Sequence, residues 1–211
     1  MICVSIGSVS AKGCIEAVKK HELCELRLDK LNLTEQDIKT IFSLNKNLIA
    51  SYRDCNSAQK RIPLLEKAMA SGAKYVDIDV QWLAPVIKKV RSYAKKKKTK
   101  VIASYHNYKK TPSLADLKKI LSSCAKLDPA IIKIACKSSG DKDNARLLGL
   151  LDSDVKMIVV GMGPKGSLTR LVAPKLGAFC TFASLYEETK TAPGQFSVQE
   201  MEKLLNGLYY V

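Results

Sequence analysis

A lysine stands where hydrocarbon is expected. The run Ala130-Ile131-Ile132-Lys133-Ile134-Ala135-Cys136 reads as a buried strand, and Lys133 interrupts it. One helix earlier, Val101-Ile102-Ala103-Ser104-Tyr105 reads as a second strand running into His106, one of only two histidines in the chain. An amine and an imidazole on neighbouring strand ends are the parts needed for imine chemistry. Burial and nearby cations disfavour the ammonium form of a lysine and leave an amine able to attack a carbonyl. An imidazole moves protons near neutral pH. Alone, Lys133 reads as a snorkelling or paired core lysine and His106 as a hydrogen-bonded loop histidine. Together they favour the chemical reading.

Other charged residues fall at comparable places. In Glu25-Leu26-Arg27-Leu28-Asp29 the period of two puts the three charges on one face and both leucines on the other. Buried parallel strands usually read as continuous apolar runs, so this pattern means either an interior ion-pair network or a site. Ser51-Tyr52-Arg53 ends the next run, and Asp77 and Asp79 share a face of the one after. In Pro164-Lys165-Gly166-Ser167-Leu168-Thr169-Arg170, Ser167 is expected to cap a helix with Arg170 in its first turn. A cation there opposes the helix dipole, which hints at another task. Thr191-Ala192-Pro193-Gly194-Gln195 reads as a tight turn before the last helix.

Eight strand-like runs hold these residues: 2–6, 23–28, 48–52, 75–79, 101–105, 131–135, 157–160 and 179–183. Amphipathic patterns alternate with them at 13–20, 35–44, 61–71, 84–97, 114–126, 142–151, 168–175 and 198–208. Thr34 with Asp37, Thr111-Pro112-Ser113, and Ser197 with Glu200 supply helix starts, and Ser71-Gly72-Ala73 a stop. Strict alternation predicts a parallel sheet, and eight units predict a closed (β/α)8 TIM barrel in the α/β class. A doubly wound sheet is the alternative, but no G-x-G-x-x-G follows the first strand; Gly161-Met162-Gly163 is a weak signal. With no linker in the pattern, residues 1–211 are expected to form a single catalytic barrel. Functional residues of such a barrel gather at the C-terminal ends of its strands, where Lys133, His106, Glu25 and the three arginines converge.

The composition narrows the class. Hydrophobic residues make up 46% of 211, too many for disorder. No run approaches the roughly 20 apolar residues of a membrane span, and the strand-like start argues against a signal peptide. Seven cysteines without C-x-x-C spacing read as reduced, mostly buried thiols of a cytoplasmic protein, and zinc is not expected. The net charge of +15 is largely lysine on helix faces, including Lys95-Lys96-Lys97-Lys98. It lacks interleaved aromatics, so a solvated surface is expected rather than nucleic acid or membrane binding.

Taken together, Glu25-Leu-Arg27-Leu-Asp29, Ser51-Tyr-Arg53, Ser104-Tyr-His106-Asn-Tyr-Lys-Lys-Thr111-Pro112, Ile132-Lys133-Ile-Ala, Met162-Gly-Pro-Lys-Gly-Ser167-Leu-Thr-Arg170 and Ala192-Pro-Gly-Gln195 resemble the type I 3-dehydroquinate dehydratases, nearly end to end. The resemblance implies a (β/α)8 barrel acting on 3-dehydroquinate in the shikimate pathway of aromatic amino-acid biosynthesis. It implies that Lys133 forms an imine with the C3 ketone, which acidifies C2. His106 then removes the C2 proton and protonates the departing C1 hydroxyl. Water leaves in a syn sense and hydrolysis releases 3-dehydroshikimate. It further implies that Arg170 holds the substrate carboxylate, that Glu25, Arg27, Arg53 and Gln195 bind and orient the ring hydroxyls, and that Thr191 and Ser5 join the binding set. No metal or organic cofactor is implied, and a homodimer is possible. Three positions depart from the family pattern. Ser57 falls where a Glu usually supports the histidine, leaving Asp79 or Asp54 for that task; Asn107 replaces a common Asp; Thr191 replaces a common Ser. Competing classes are another imine-forming barrel such as a class I aldolase, and a non-catalytic polyanion binder.

Overall fold

The structure is a computed structural model, and it describes residues 1–54 and 58–207. Eight strands alternate with eight helices: β1 Ile2–Ile6, α1 Ala11–Lys20, β2 Cys24–Arg27, α2 Glu35–Leu44, β3 Leu48–Ser51, α3 Ala58–Ala70, β4 Tyr75–Asp79, α4 Ala84–Lys97, β5 Lys100–Asn107, α5 Leu114–Ala125, β6 Ile131–Lys137, α6 Asp141–Leu148, β7 Met157–Met162, α7 Ser167–Val172, β8 Thr181–Ser184 and α8 Val198–Gly207. All pairings are parallel, and the strand order runs β7 to β1 and then β8. Such an order brings β7 and β8 side by side and makes the expected (β/α)8 barrel. At this seam the Phe179 N–H donates to the Met157 carbonyl at 2.8 Å.

The register stacks inward-facing residues in layers, because alternate residues of each strand face the axis. Cys3, Leu23, Ile49, Tyr75, Ile102, Ile131, Ile158 and Cys180 form an apolar floor. Two residues further along come Ser5, Glu25, Ser51, Asp77, Ser104, Lys133, Val160 and Phe182. The mouth layer carries Arg27, Arg53, Asp79, His106, Ala135 and Met162. The outward residues, such as Leu26, Ile78, Ile134 and Val159, pack against the helices. Burying one such side chain contributes about 1.5–3 kcal/mol, and this layer holds the frame on which the polar layers rest.

Local signals set the helix ends. Thr34 and Asp37 cap α2 reciprocally, Ser113 caps α5 through the Asp116 N–H at 3.2 Å, and Ser197 and Glu200 do the same for α8. Gly72, at φ 110°, turns the chain from α3 toward β4. Some boundaries differ from expectation. Helices α6 and α7 end earlier and tighten into 3-10 turns at Gly149–Leu151 and Ala173–Leu176; Pro174 lacks the N–H that would continue the second. Strand β8 starts at Thr181 instead of Phe179, since the Phe179 N–H is spent across the seam. Ser167 does not cap α7: it is the first helical residue, and its hydroxyl donates to the Pro164 carbonyl at 2.8 Å. The last helix is described to Gly207, so the expected end at Leu208 lies outside the described residues.

Candidate active site

Lys133 projects from β6 into the barrel mouth and is 6% exposed. Its Nζ lies 3.5 Å from Glu25 Oε1 and 3.7 Å from Asp77 Oδ2, and 3.8 Å from the centroid of the Phe182 ring. The nearest charges are thus carboxylates, in place of the cations expected around it. The arginines instead neutralise those carboxylates. Arg53 pairs with Asp77 and lies 3.9 Å from Glu25 and 3.7 Å from Asp79.

His106 sits within β5, whose ladder with β6 continues through Asn107. Ser104 and His106 face the same way, and Ser104 is directly opposite Lys133, so imidazole and amine share one cavity. The His106 Nδ1 is 2.8 Å from Asp79 Oδ2 and 3.2 Å from Arg53 Nη1. A guanidinium has no acceptor and Asp79 is the closer partner, so we place the proton on Nδ1, donated to Asp79. Arg53 Nη1 donates to Ser104 Oγ at 3.1 Å, and Ser104 donates to Asp77. The Nε2 lone pair is then the basic one. Burial first, then the Arg53 charge, push the His106 pKa down to about 4 against the raising effect of Asp79. The imidazole is therefore neutral near pH 7.

Glu25 is 3% exposed. Burial pushes its pKa up, but Lys133, Arg53 and Arg27 outweigh this and hold it at about 2. Its Oε2 accepts from Ser5 Oγ at 2.7 Å, and the Ser5 oxygen lies 2.8 Å from Thr191 Oγ1. Asp77 is likewise lowered: burial raises it, and Arg53 followed by Lys133 more than reverse that. Arg53 is raised, because Asp77, Glu25 and Asp79 overcome its burial.

Arg170 contrasts with Arg27 and Arg53. It is 1% exposed, and no carboxylate lies within 4 Å of it among the described residues. Its Nη1 donates to the Phe182 carbonyl at 3.3 Å and its Nη2 to the Pro193 carbonyl at 3.4 Å, while Nε has no partner. Burial alone pulls its pKa down to about 10. A buried guanidinium lining a cavity with no counter-ion has the chemistry to receive an anion. Two close approaches place it. A side chain at Gly166 would lie 2.4 Å from the Gly161 carbonyl carbon, and one at Gly194, with φ 70°, would lie 2.4 Å from the Gly163 oxygen. The loops after β7 and β8 can therefore touch, and the Gly163 N–H donates to the Pro193 carbonyl at 3.1 Å.

The cavity measures about 430 Å³ including its open mouth. Its wall holds Lys133, His106, Glu25, Arg27, Arg53, Arg170, Thr191 and Gln195, all named from the sequence. Arg27 is clasped by Asp29 at 2.7 and 2.9 Å and donates to the Thr191 carbonyl at 3.3 Å. The Gln195 amide oxygen accepts from the Thr191 N–H at 2.9 Å and the Ala192 N–H at 3.3 Å, which organises that turn. Ser5 is a correction. It is fully buried, lies beside its β2 register partner Glu25 in the same layer, and is not on the cavity wall. Ser104, Tyr108 and Phe182 were not singled out from the sequence. Period-two spacing would have found Ser104, two before His106; Phe182 looked like ordinary strand hydrocarbon. Of the two carboxylates expected to support His106, Asp79 makes the contact. Ser57 lies outside the described residues. Among those residues no cluster of three or more His, Cys, Asp or Glu is placed to hold a metal ion.

Comparison with known proteins agrees along the whole barrel. A family model described as Type I 3-dehydroquinase matches residues 2–210. A 3-dehydroquinate dehydratase from Methanococcus vannielii is 32% identical over 98% of this chain and 99% of its own length. The crystal structure of a type I 3-dehydroquinate dehydratase from Clostridium difficile, carrying covalently modified comenic acid, is 25% identical. It superposes with a TM-score of 0.83 over 99% of this chain and 92% of its own. The 3-dehydroquinate dehydratase from Aquifex aeolicus is also 25% identical, with a TM-score of 0.81 and full coverage of both chains.

Proposed function

The chain belongs to the type I 3-dehydroquinase family, and from that premise we propose how its own residues dehydrate 3-dehydroquinate to 3-dehydroshikimate. It is a carbon–oxygen lyase of the shikimate pathway. The Lys133 amine adds to the C3 ketone, and loss of water from the adduct leaves an imine. The imine draws electrons from C2, and neutral His106 removes the C2 proton through Nε2. The enamine expels the C1 hydroxyl, which takes the proton back from His106 as water. A second water hydrolyses the imine and frees Lys133. Asp79 keeps Nδ1 protonated, so the lone pair faces the substrate throughout. Arg170 receives the substrate carboxylate, while Glu25, Arg27, Arg53, Thr191 and Gln195 orient the hydroxyls.

One observation carries this reading. A buried lysine and a neutral imidazole stand on paired strands, in a cavity that also holds a buried guanidinium without a counter-ion. An aldolase taking sugar phosphates would share the amine but does not call for carboxylate-binding by Arg170. The electrophile is the protein's own, so the proposed route calls on no metal or organic cofactor. We read residues 1–211 as one catalytic unit acting on a small molecule, neither on nucleic acid nor at a membrane. No helix among the described residues is long and apolar enough to cross a bilayer. The six cysteines among the described residues are free and buried, which suits a cytoplasmic setting. The family resemblance also implies a homodimer, which sedimentation would read out.

The test is borohydride treatment in the presence of 3-dehydroquinate, followed by mass spectrometry. The expected result is one reduced adduct on Lys133. Turnover with no adduct at Lys133 would remove the imine from the mechanism.

A further inference from the structure

Arg61 is a charged residue that the proposed chemistry does not use, yet it is 2% exposed. It lies in the first turns of α3, outside the cavity wall. Among the described residues no carboxylate lies within 4 Å of it, and its Nε has no hydrogen-bond partner. What holds it is a pair of rings and a carbonyl. Its guanidinium carbon sits 4.3 Å from the centroid of the Trp82 ring and 5.8 Å from that of Tyr52. Its Nη2 donates to the Asp54 carbonyl. A desolvated guanidinium over an indole is worth about 2 kcal/mol, and burying the charge costs more than an apolar side chain would. Stability alone therefore gives no reason for an arginine here.

The residues it grips explain it better. Tyr52 and Asp54 flank Arg53 in sequence. Trp82 lies in the loop between β4 and α4, its N–H bonded to the Asp79 carbonyl at 3.1 Å. Arg61 thus ties the Tyr52 ring and the Asp54 carbonyl, on either side of Arg53, to the loop that leaves Asp79. Arg53 and Asp79 are the two charged groups nearest the His106 imidazole, at 3.2 and 2.8 Å. We propose that Arg61, stacked on Trp82, is a positioning residue that fixes Arg53 and Asp79 relative to each other and so sets the environment of the catalytic imidazole. A planar guanidinium is required, since it presents a face to the indole and an edge N–H to the carbonyl at once; a lysine ammonium cannot do both.

The inference rests on the proposed roles of His106 and Lys133, and the test separates the two. Arg61→Lys, Arg61→Met and the milder Trp82→Phe are compared with wild type for kcat, KM, pH profile, thermal midpoint and borohydride trapping. Trapping at Lys133 is expected to persist in every variant, whereas its absence in wild type would fail the functional reading itself. In both Arg61 variants kcat is expected to fall about 10- to 100-fold, as for a displacement of about 1 Å at reacting groups, with a smaller change in KM. If Arg53 withdraws from His106, one force that lowers the imidazole pKa is relaxed, and the acid limb of kcat/KM moves to higher pH. Trp82→Phe keeps a ring face and is expected to lie between wild type and Arg61→Lys. Should Arg61→Met fail to fold, Arg61→Lys and Trp82→Phe carry the same readouts. Variants that lose thermal stability but keep wild-type kcat and an unshifted acid limb would overturn the proposal.

Discussion

The two sides of the barrel mouth are built differently. From β2 to β5 the inward residues form a lattice of charges that satisfy one another: Arg53 with Asp77, Ser104 between them, Asp79 with His106, and Glu25 held by Ser5. From β6 to β8 the wall is Ala135, Val160, Met162 and Phe182, and its one guanidinium, Arg170, has only backbone carbonyls. Lys133 stands on the border, with carboxylates on one side and a phenyl ring on the other. The difference separates two tasks. The first side fixes protonation states before any ligand arrives, and the second leaves one charge unanswered, which under the proposed function a substrate carboxylate answers.

The largest effects fall on the border. Lys133→Ala should lower kcat by about 10⁴-fold or more and abolish the trapped adduct. His106→Ala should keep the adduct while turnover falls by about 10²- to 10⁴-fold. Near-normal activity in Lys133→Ala would end the division of labour described above. The two sides then predict opposite stability changes. Arg53→Met leaves Asp77 and Glu25 buried with Lys133 as the one cation within 4 Å of both among the described residues, and should cost about 3–5 kcal/mol in chemical denaturation. Arg170→Met removes a buried cation that has no counter-ion and should leave stability unchanged or raise it. The same substitution should cut kcat/KM about 10- to 100-fold, since a charge-assisted bond contributes about 1.5–3 kcal/mol. If Arg170→Met is destabilised as strongly as Arg53→Met, the comparison fails.

Acid titration sharpens the picture. The His106 pKa is about 4 when folded, below its ordinary 6.5. Between those values the unfolded chain binds a proton that the folded one refuses, so stability falls as the pH drops from 6.5 to 4. Glu25, at about 2 against an ordinary 4.5, contributes stability that is full above 4.5 and lost toward 2. Urea unfolding across pH should show two successive declines, the upper one absent in His106→Ala. Asp79→Asn removes the negative charge that raises the His106 pKa, so the acid limb of kcat/KM should move still lower. Its kcat should drop about 10- to 100-fold as the tautomer is released. The smallest effect belongs to the outer surface: Lys95→Gln should change stability by less than about 0.5 kcal/mol.

Much of this was legible in the chain because strands repeat with period two. That period exposed Glu25 with Arg27 and Asp77 with Asp79, and the frame of eight βα units follows from it. What stayed hidden depended on side chains meeting across strands. Nothing local to Asp79 says that it, and not Asp54, reaches His106; the parallel register of β4 and β5 decides that. Ser5 was expected to face a ligand and instead spends its hydroxyl on neighbouring Glu25, which only the β1–β2 pairing reveals. The carboxylates around Lys133 were invisible for the same reason, since they come from β2 and β4. Arg61 carries no local signal either, since Trp82, the ring it stacks on, comes from the next βα unit.

The seam between β7 and β8 carries a further consequence. Arg170 donates to the carbonyls of Phe182 in β8 and Pro193 in the loop that follows. The anion receptor is thus also a staple where the strand order begins and ends. A carboxylate seated on Arg170 would hold that staple in place, and amide hydrogen exchange along β7, β8 and the 191–195 turn should slow when ligand binds. Occupancy of the site would then be written into the breathing of the barrel wall.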